Sequence, residues 1–276
     1  MRVIAAVIEA IEAEAWAQFH AAIPQPHLAA TGSKAMHYGQ ALSLVTPGAD
    51  EAVLNRTLGL GFHRPLDAAC LESINAAYLT AGCKRWMVEW SPEASPGEGA
   101  ELIMAAGASE RSPLVKMYCD LSRASTLTGR SDHRIEEIGE SHRELFRSTV
   151  ADALGASEQM MPVIGGTLGT AGWHHYLAFS GPRAVAGALM FVKGEGAWLG
   201  FAGTLPGERN RGAQSELIAR RLADARKLGC KWVTVETELA TNARTGASLR
   251  NLERAGVAVA YLRRRFLREG RQFAPL

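Results

Sequence analysis

Apolar and polar positions along this chain repeat with two different periods, and the changes of period mark its elements. The opening run MRVIAAVIEAIEAEAWAQFHAA sets Glu9, Glu12 and Glu14 among apolar residues and reads as an amphipathic helix. Three β-rich stretches, His175–Ser180, Ala184–Lys193 and Ala197–Thr204, are separated by the turns Ser180-Gly-Pro-Arg183 and Gly194-Glu-Gly196, which predicts an antiparallel meander. The period then changes. Leu217, Ile218, Leu222, Ala225 and Leu228 share one helical stripe, and Lys231–Val235 is β-rich again. Such a strand–loop–helix–strand crossover implies a parallel pair at the centre of the sheet. A further amphipathic helix is expected over Arg134–Leu154.

The same order of elements occurs twice. Ala81-Gly-Cys-Lys-Arg-Trp-Met-Val-Glu89 resembles Leu228-Gly-Cys-Lys-Trp-Val-Thr-Val-Glu236, and Ala106-Gly107 after Leu102 resembles Ala255-Gly256 after Leu252. Both matches lie at an offset of about 148 positions, near one domain length. Each half reads as a helix ending near Gly, a strand, a helix ending at Ala-Gly, and a final strand. A tandem duplication of mixed α/β units is therefore expected. The boundary is placed in the turn-rich stretch Leu127-Thr-Gly-Arg-Ser-Asp132, giving lobes over 1–130 and 131–276.

Composition narrows the function. With 276 residues, 47% hydrophobic and 21% charged, the chain has material for a large core. Its 30 Lys+Arg against 28 Asp+Glu create no global field, so neither nucleic acid nor a membrane is expected as partner. With carboxylates inside it, the first apolar stretch is expected to be neither a signal-peptide core nor a spanning helix. Cys70, Cys83, Cys119 and Cys230 form no C-x-x-C pair and no metal-ligand spacing. They are expected to be reduced and buried in a cytoplasmic protein that needs no metal. Oligomeric state is left open by these features.

The stretch Gly207-Glu-Arg-Asn-Arg-Gly-Ala-Gln-Ser-Glu216 places two arginines and a glycine ahead of the helical stripe. Cations at a helix start are unfavourable by themselves, because that end carries partial positive charge. A loop between a central strand and its crossover helix is, however, where open sheets hold anionic ligands. No Gly-Lys-Ser/Thr and no Gly-x-Gly-x-x-Gly is present, so the loop belongs to neither nucleotide motif.

Arg209-Asn210-Arg211-Gly212-Ala213-Gln214 resembles the Arg/Gln-x-x-Gly-x-Gly/Ala pyrophosphate loop of the GNAT superfamily of acyl-coenzyme A-dependent acyltransferases, with Gln at the sixth position. Downstream, Ser248-Leu249-Arg250-Asn251-Leu252-Glu253-Arg254-Ala255-Gly256-Val257 is similar to the family's Ser-x-x-Asn-x-x-x-x-Gly-Phe segment. The resemblance covers about 134–270 well and only the helix–strand–helix core of the first half. It implies an α/β (α+β) fold of tandem mixed β-sheets flanked by helices, with acetyl-CoA as co-substrate. The implied cofactor contacts are Gly203 and Thr204 on the strand, Arg209, Asn210, Arg211, Gly212, Ala213, Gln214 and Ser215 in the loop, and Asn242, Ser248 and Asn251 beyond it. The first half departs from the pattern: Gly59-Leu-Gly-Phe-His-Arg-Pro-Leu-Asp67 lacks paired arginines and offers Asp67 as an N-cap. The N-terminal lobe is therefore read as degenerate and the second as the acetyl-CoA-binding domain.

The implied reaction is N-acetylation of a primary amine, small-molecule or peptide, by direct attack on the acyl thioester. Backbone groups of Phe201–Leu205 are the implied contacts to its carbonyl. Tyr261 is the candidate acid for the leaving thiolate, or else a packed strand aromatic. Glu236 and Glu238 share a strand face and are candidate bases, or else members of an outer salt bridge or a cap. Trp173-His174-His175-Tyr176 offers another candidate base, or else one histidine facing inward and one outward, and Arg263-Arg264-Arg265 with Arg268 reads as a solvated strand end rather than a contact for the ribose phosphate of coenzyme A. The rival from another class is a catalytically inactive acyl-CoA-binding sensor, in which the loop persists without transfer chemistry.

Overall fold

A computed structural model describes residues 2–123, 131–239 and 246–270. In chain order the elements are α1 (Arg2–Ala21), α2 (Gln25–Thr31), β1 (Lys34–Tyr38), β2 (Ala41–Val45), β3 (Arg56–Leu58), α3 (Ala68–Ala81), β4 (Arg85–Trp90), α4 (Gly99–Ala105) and β5 (Ser109–Asp120). They continue with β6 (Arg134–Glu137), α5 (Arg143–Leu154), β7 (Trp173–Ser180), β8 (Arg183–Lys193), β9 (Gly196–Thr204), α6 (Ala213–Lys227), β10 (Trp232–Glu238), α7 (Ala247–Arg254) and β11 (Ala258–Glu269). Both α3–β4–α4–β5 and α6–β10–α7–β11 repeat one order of elements. None of the described helices is long and apolar enough to cross a membrane.

The chain divides into two compact units, Met1–Leu114 with Tyr261–Leu276, and Val115–Ala260. Most of β11, Tyr261 included, thus belongs with the first unit, whereas the sequence boundary near 130 assigns it to the second.

In the first unit the strands run in the order β1-β2-β3-β4-β11. β3 is parallel to β4, and β11 closes antiparallel on β4 with Phe266 opposite Val88. The apolar positions of α1 recur at helical spacing, so Ile8, Ile11, Trp16 and Phe19 are buried. α3 begins at Asp67, whose Oδ1 accepts from Cys70 N at 2.7 Å, and ends at Gly82 in the left-handed region. Its Ile74 and Tyr78 pack with Trp86, Val88 and Phe266. This core also contains charge. Glu9 and Glu12 of α1, Arg56, Glu89 and Arg263 are all buried, and Arg263 is 0% exposed. The expectation that the arginine run is a solvated strand end therefore fails at Arg263, which the carboxylates of α1 hold inside. Arg264, by contrast, pairs with Glu110 at 2.8 Å near the surface.

In the second unit the order is β5-β10-β9-β8-β7-β6. β7, β8 and β9 form the expected antiparallel meander, and β10 is parallel to β9 across the α6 crossover. Leu217, Ile218, Leu222 and Ala225 of α6 pack on Leu199, Val233 and Val235. Leu228 leaves this stripe, being 47% exposed beyond the end of the helix. The helix expected over Arg134–Leu154 is divided: residues 134–137 pair with β7 as a strand, Gly139 is extended, and α5 starts at Arg143. Backbone bonds to β7 have outcompeted local helix propensity there. The four cysteines are free and buried.

Candidate functional site

β9 and β10 are paired only from Gly196 with Trp232 to Leu199 with Val235. Beyond that point both strands continue, β9 to Thr204 and β10 to Glu238, without pairing to each other. The cause lies partly in β9. Its register against β8 shifts between Gly187 and Leu189, and Phe201 adopts φ 44°, a left-handed conformation that few residues other than Gly take. A bulge turns the strand aside and opens a fork at the C-terminal ends of two parallel strands. Backbone groups along that edge of β9 are released from the ladder.

The loop from Leu205 to Gly212 leads from the end of β9 to the start of α6. Leu205 N donates to Val185 O at 2.9 Å, which ties its start to β8. Arg209 does not project toward the helix: its Nε donates to Thr204 O at 3.3 Å and its Nη2 to Ala153 O at 3.4 Å, fastening the loop to β9 and α5. Asn210 and Gly212 both have positive φ, 64° and 91°. Gly212 is the N-cap of α6, and no side chain caps the helix. A Cβ at this position would lie 2.8 Å from Ser131 Cβ. Ala213 is buried, and Ser215 belongs to the first turn.

Arg211 is largely exposed and donates to Glu208 Oε2 at 3.0 Å, while Glu208 Oε1 accepts from Arg183 at 3.4 Å. The negative partner that the arginines call for in the sequence is thus in part Glu208, three residues before Arg211 in the same loop. Farther along, Gln214 Nε2 donates to Ser248 Oγ at 3.3 Å and Asn251 Nδ2 donates to Gln214 Oε1 at 2.5 Å. Arg254 also donates to Asn251. The structure therefore joins Gln214, Ser248 and Asn251 between α6 and α7. Gly203 backs onto α5, where a Cβ would approach Ala153 Cβ within 2.8 Å. Asn242 lies outside the described residues.

Glu236 and Glu238 lie on β10 beyond its pairing with β9. Glu236 Oε2 is 3.7 Å from Nζ of Lys116, whose side chain is 0% exposed against 18% for the glutamate. Lys116 escaped the sequence reading, although a lone lysine inside Leu114-Val-Lys-Met-Tyr-Cys119 is an available signal. Tyr261 is placed in the first unit, where its hydroxyl donates to Glu9 Oε1 at 2.8 Å. Burial first, and then the Glu9 carboxylate, push its ionisation far above the ordinary tyrosine range. The histidines divide as alternation predicts. His175 is 1% exposed, whereas the half-buried His174 meets Glu137 through Nδ1 at 2.7 Å. Burial drives the His175 imidazole down to about 3, with the Arg143 charge a second cause.

The counterpart loop in the first unit differs in its electrostatics. It lines a shallow, solvent-open cleft with Tyr38, Gly59, Gly61, His63, Arg64 and Cys70. The start of α3 beside it is already closed by the Asp67 carboxylate. Among the described residues, no group of His, Cys, Asp and Glu is arranged to hold a metal ion.

No protein-family model matches this chain, and no curated protein matches it. Solved structures do. A GCN5-related N-acetyltransferase from Kribbella flavida is similar over 96% of this chain and 97% of its own, with a TM-score of 0.68 at 17% identity. A second, from Sphaerobacter thermophilus, covers 87% of this chain and 84% of its own, with a TM-score of 0.62 at 14% identity. A tandem GNAT protein from the clavulanic acid biosynthesis pathway covers 86% and 79%, with a TM-score of 0.59 at 12% identity. The chain has the fold of GCN5-related N-acetyltransferases, a mixed α/β arrangement of strands flanked by helices.

Proposed function

We propose that this protein is an acyl-CoA-dependent N-acyltransferase that moves an acetyl group from acetyl-CoA to a primary amine on a small molecule or peptide. One observation carries the reading: β9 and β10 part beside a helix start that no side chain caps. The first-turn N–H groups of Ala213, Gln214 and Ser215, with Gly212 carrying no Cβ, fit a pyrophosphate, since an uncapped helix start favours an anion. Arg211, itself largely exposed, adds a charge that can turn from Glu208 to the phosphates, while Glu208 keeps its contact with Arg183. Arg209 and Asn210 shape the loop, and Gln214, Ser248 and Asn251 hold α7 against the first turn. The first unit offers no equivalent seat, because Asp67 would repel a phosphate at α3.

When bound, acetyl-CoA supplies the thioester whose acetyl group passes to the amine as the free thiol departs. The backbone N–H groups of the β9 edge near Phe201, Gly203 and Thr204 act as donors to the carbonyl, positioned in advance by the bulge. Glu236 takes the proton from the incoming ammonium, and Glu238 at the mouth of the fork attracts that cation. We give Tyr261 no part in the transfer. Its proton is committed to Glu9, and its raised ionisation makes it a poorer acid.

The test is calorimetry with acetyl-CoA, followed by free-thiol release over a panel of amines. Binding with turnover on at least one amine is expected. Binding without turnover on any amine supports the inactive acyl-CoA sensor, and absence of binding overturns the assignment of the loop.

A further inference from the structure

The pair formed by Lys116 and Glu236 has no account in packing alone. Leu121 N donates to Lys231 O at 2.8 Å and Thr234 Oγ1 donates to Met117 O at 2.9 Å. These contacts run in opposite directions along β5 and β10, which brings residue 116 opposite residue 236. Val115, Met117 and Cys119 enter the apolar core with Val233 and Val235. Lys116 and Tyr118 therefore share the other face with Trp232, Thr234 and Glu236, and the Tyr118 and Trp232 rings stack there at 6.1 Å. At a fully buried position an apolar residue would be the stabilising choice. Exchanging a buried ion pair for packed apolar side chains is commonly neutral or favourable, so stability does not explain the lysine.

We propose that Lys116 is a positioning residue for the transfer: a buried counter-charge that keeps Glu236 ionised and in one orientation at the fork, ready to take a proton. The inference rests on the reading of Glu236 as base. Its basis is the juxtaposition of a lysine with no exposure, a glutamate with a little, and the point where β10 leaves β9. Removing the lysine side chain leaves the carboxylate reachable by water, so it rehydrates or takes up a proton instead of unfolding the strand. Among the described residues, the strands beside Glu236 bring these charged groups. β5 brings Lys116 and, at its exposed end, Asp120; β10 brings Glu238; residues 200–204 of β9 bring none. α7 carries Arg250, Glu253 and Arg254 but packs through Leu252 on the opposite face of β10.

Two measurements on the full chain test this, using Lys116→Met, with Lys116→Gln as a second variant should the first not fold. In the protein without ligand, the Glu236 carboxyl is followed by carbon NMR of labelled glutamate, assigned by its absence in Glu236→Gln. Its protonation midpoint is expected to rise by about one unit or more without the lysine. With acetyl-CoA and the amine found by the thiol-release panel, kcat is expected to fall about tenfold or more while the KM for acetyl-CoA is unchanged. An unmoved midpoint, with Glu236→Gln slow, overturns the role of Lys116 alone. A moved midpoint, with Glu236→Gln as fast as wild type, overturns Glu236 as base and Lys116's part in the reaction with it. A kcat retained in Lys116→Met while the melting temperature drops shows a lysine that only packs, and also overturns the proposal.

Discussion

Acid is expected to weaken the second unit through one histidine. His175 is 1% exposed on β7, with Nε2 3.3 Å from Thr167 Oγ1 and the Phe146 ring edge-on at 4.9 Å. Unfolded, the imidazole binds a proton near its ordinary value of about 6.5; folded, burial keeps it neutral down to about 3. The unfolded state therefore holds more protons throughout that window. Stability fully present above pH 6.5 is lost as the pH falls toward 3, with a limiting slope of about 1.4 kcal/mol per unit. At about pH 4.5, two units into the window, the loss is roughly 3 kcal/mol as an upper figure. Urea unfolding of wild type and His175→Gln at about pH 7.5 and about pH 4.5 isolates this share, because contributions from distant carboxylates cancel in the difference. The advantage of wild type is expected to shrink by about 2–3 kcal/mol on acidification. A difference that stays constant between the two pH values refutes the reasoning.

Three further outcomes follow from local geometry. Gly212→Ala forces a side chain into φ 91° and toward Ser131, so urea unfolding should show a loss of about 1–2 kcal/mol or more, and calorimetry a weaker grip on acetyl-CoA than in Arg211→Ala. Arg211→Ala removes a largely exposed side chain and leaves Glu208 its contact with Arg183, so the ligand-free protein should stay within about 0.5 kcal/mol of wild type. Its affinity for coenzyme A should fall about tenfold to a hundredfold, and a ligand-induced melting shift retained in full excludes the arginine from the site. Arg263→Met removes the guanidinium shared by Glu9, Glu12 and Glu89 and is expected to destabilise by about 3–5 kcal/mol, part of which Glu12→Gln restores; an unchanged unfolding midpoint would be inconsistent with a buried network.

What the chain shows of itself in advance is mostly what is local. The meander over β7, β8 and β9 and the stripe of α6 were legible because their periods are set within a dozen residues. β6 was not, since Arg134-Ile-Glu-Glu becomes a strand only against residues about 40 positions later. The loop Arg209–Gln214 is legible as an anion seat, but its contacts within the chain are not: Arg209 donates to two carbonyls and Arg211 to Glu208. Lys116 and Glu236 meet only when β5 and β10 become neighbours. Nothing in either segment announces that pairing.

Tyr261 illustrates the same limit and leads to a decisive variant. Three buried carboxylates of the first unit, Glu9, Glu12 and Glu89, share two guanidiniums. Glu12 meets Arg263 through both oxygens and lies 3.6 Å from Arg56, and Glu89 meets both arginines. Among the described residues, Glu9 meets Arg263 as its cation, at 3.2 Å, and the Tyr261 hydroxyl supplies its second contact at 2.8 Å. The hydroxyl therefore serves the carboxylate with the least cationic support. Arg56, stacked 4.1 Å over Trp16, has no further reach to it among the described contacts. Removing the hydroxyl in Tyr261→Phe leaves a buried carboxylate oxygen without its donor, a loss of about 1–3 kcal/mol in unfolding free energy. If the residue holds α1 and takes no part in transfer, turnover by the folded variant should match wild type in thiol release. Turnover that collapses while the unfolding midpoint stays in place would return Tyr261 to the reaction as the acid for the thiolate.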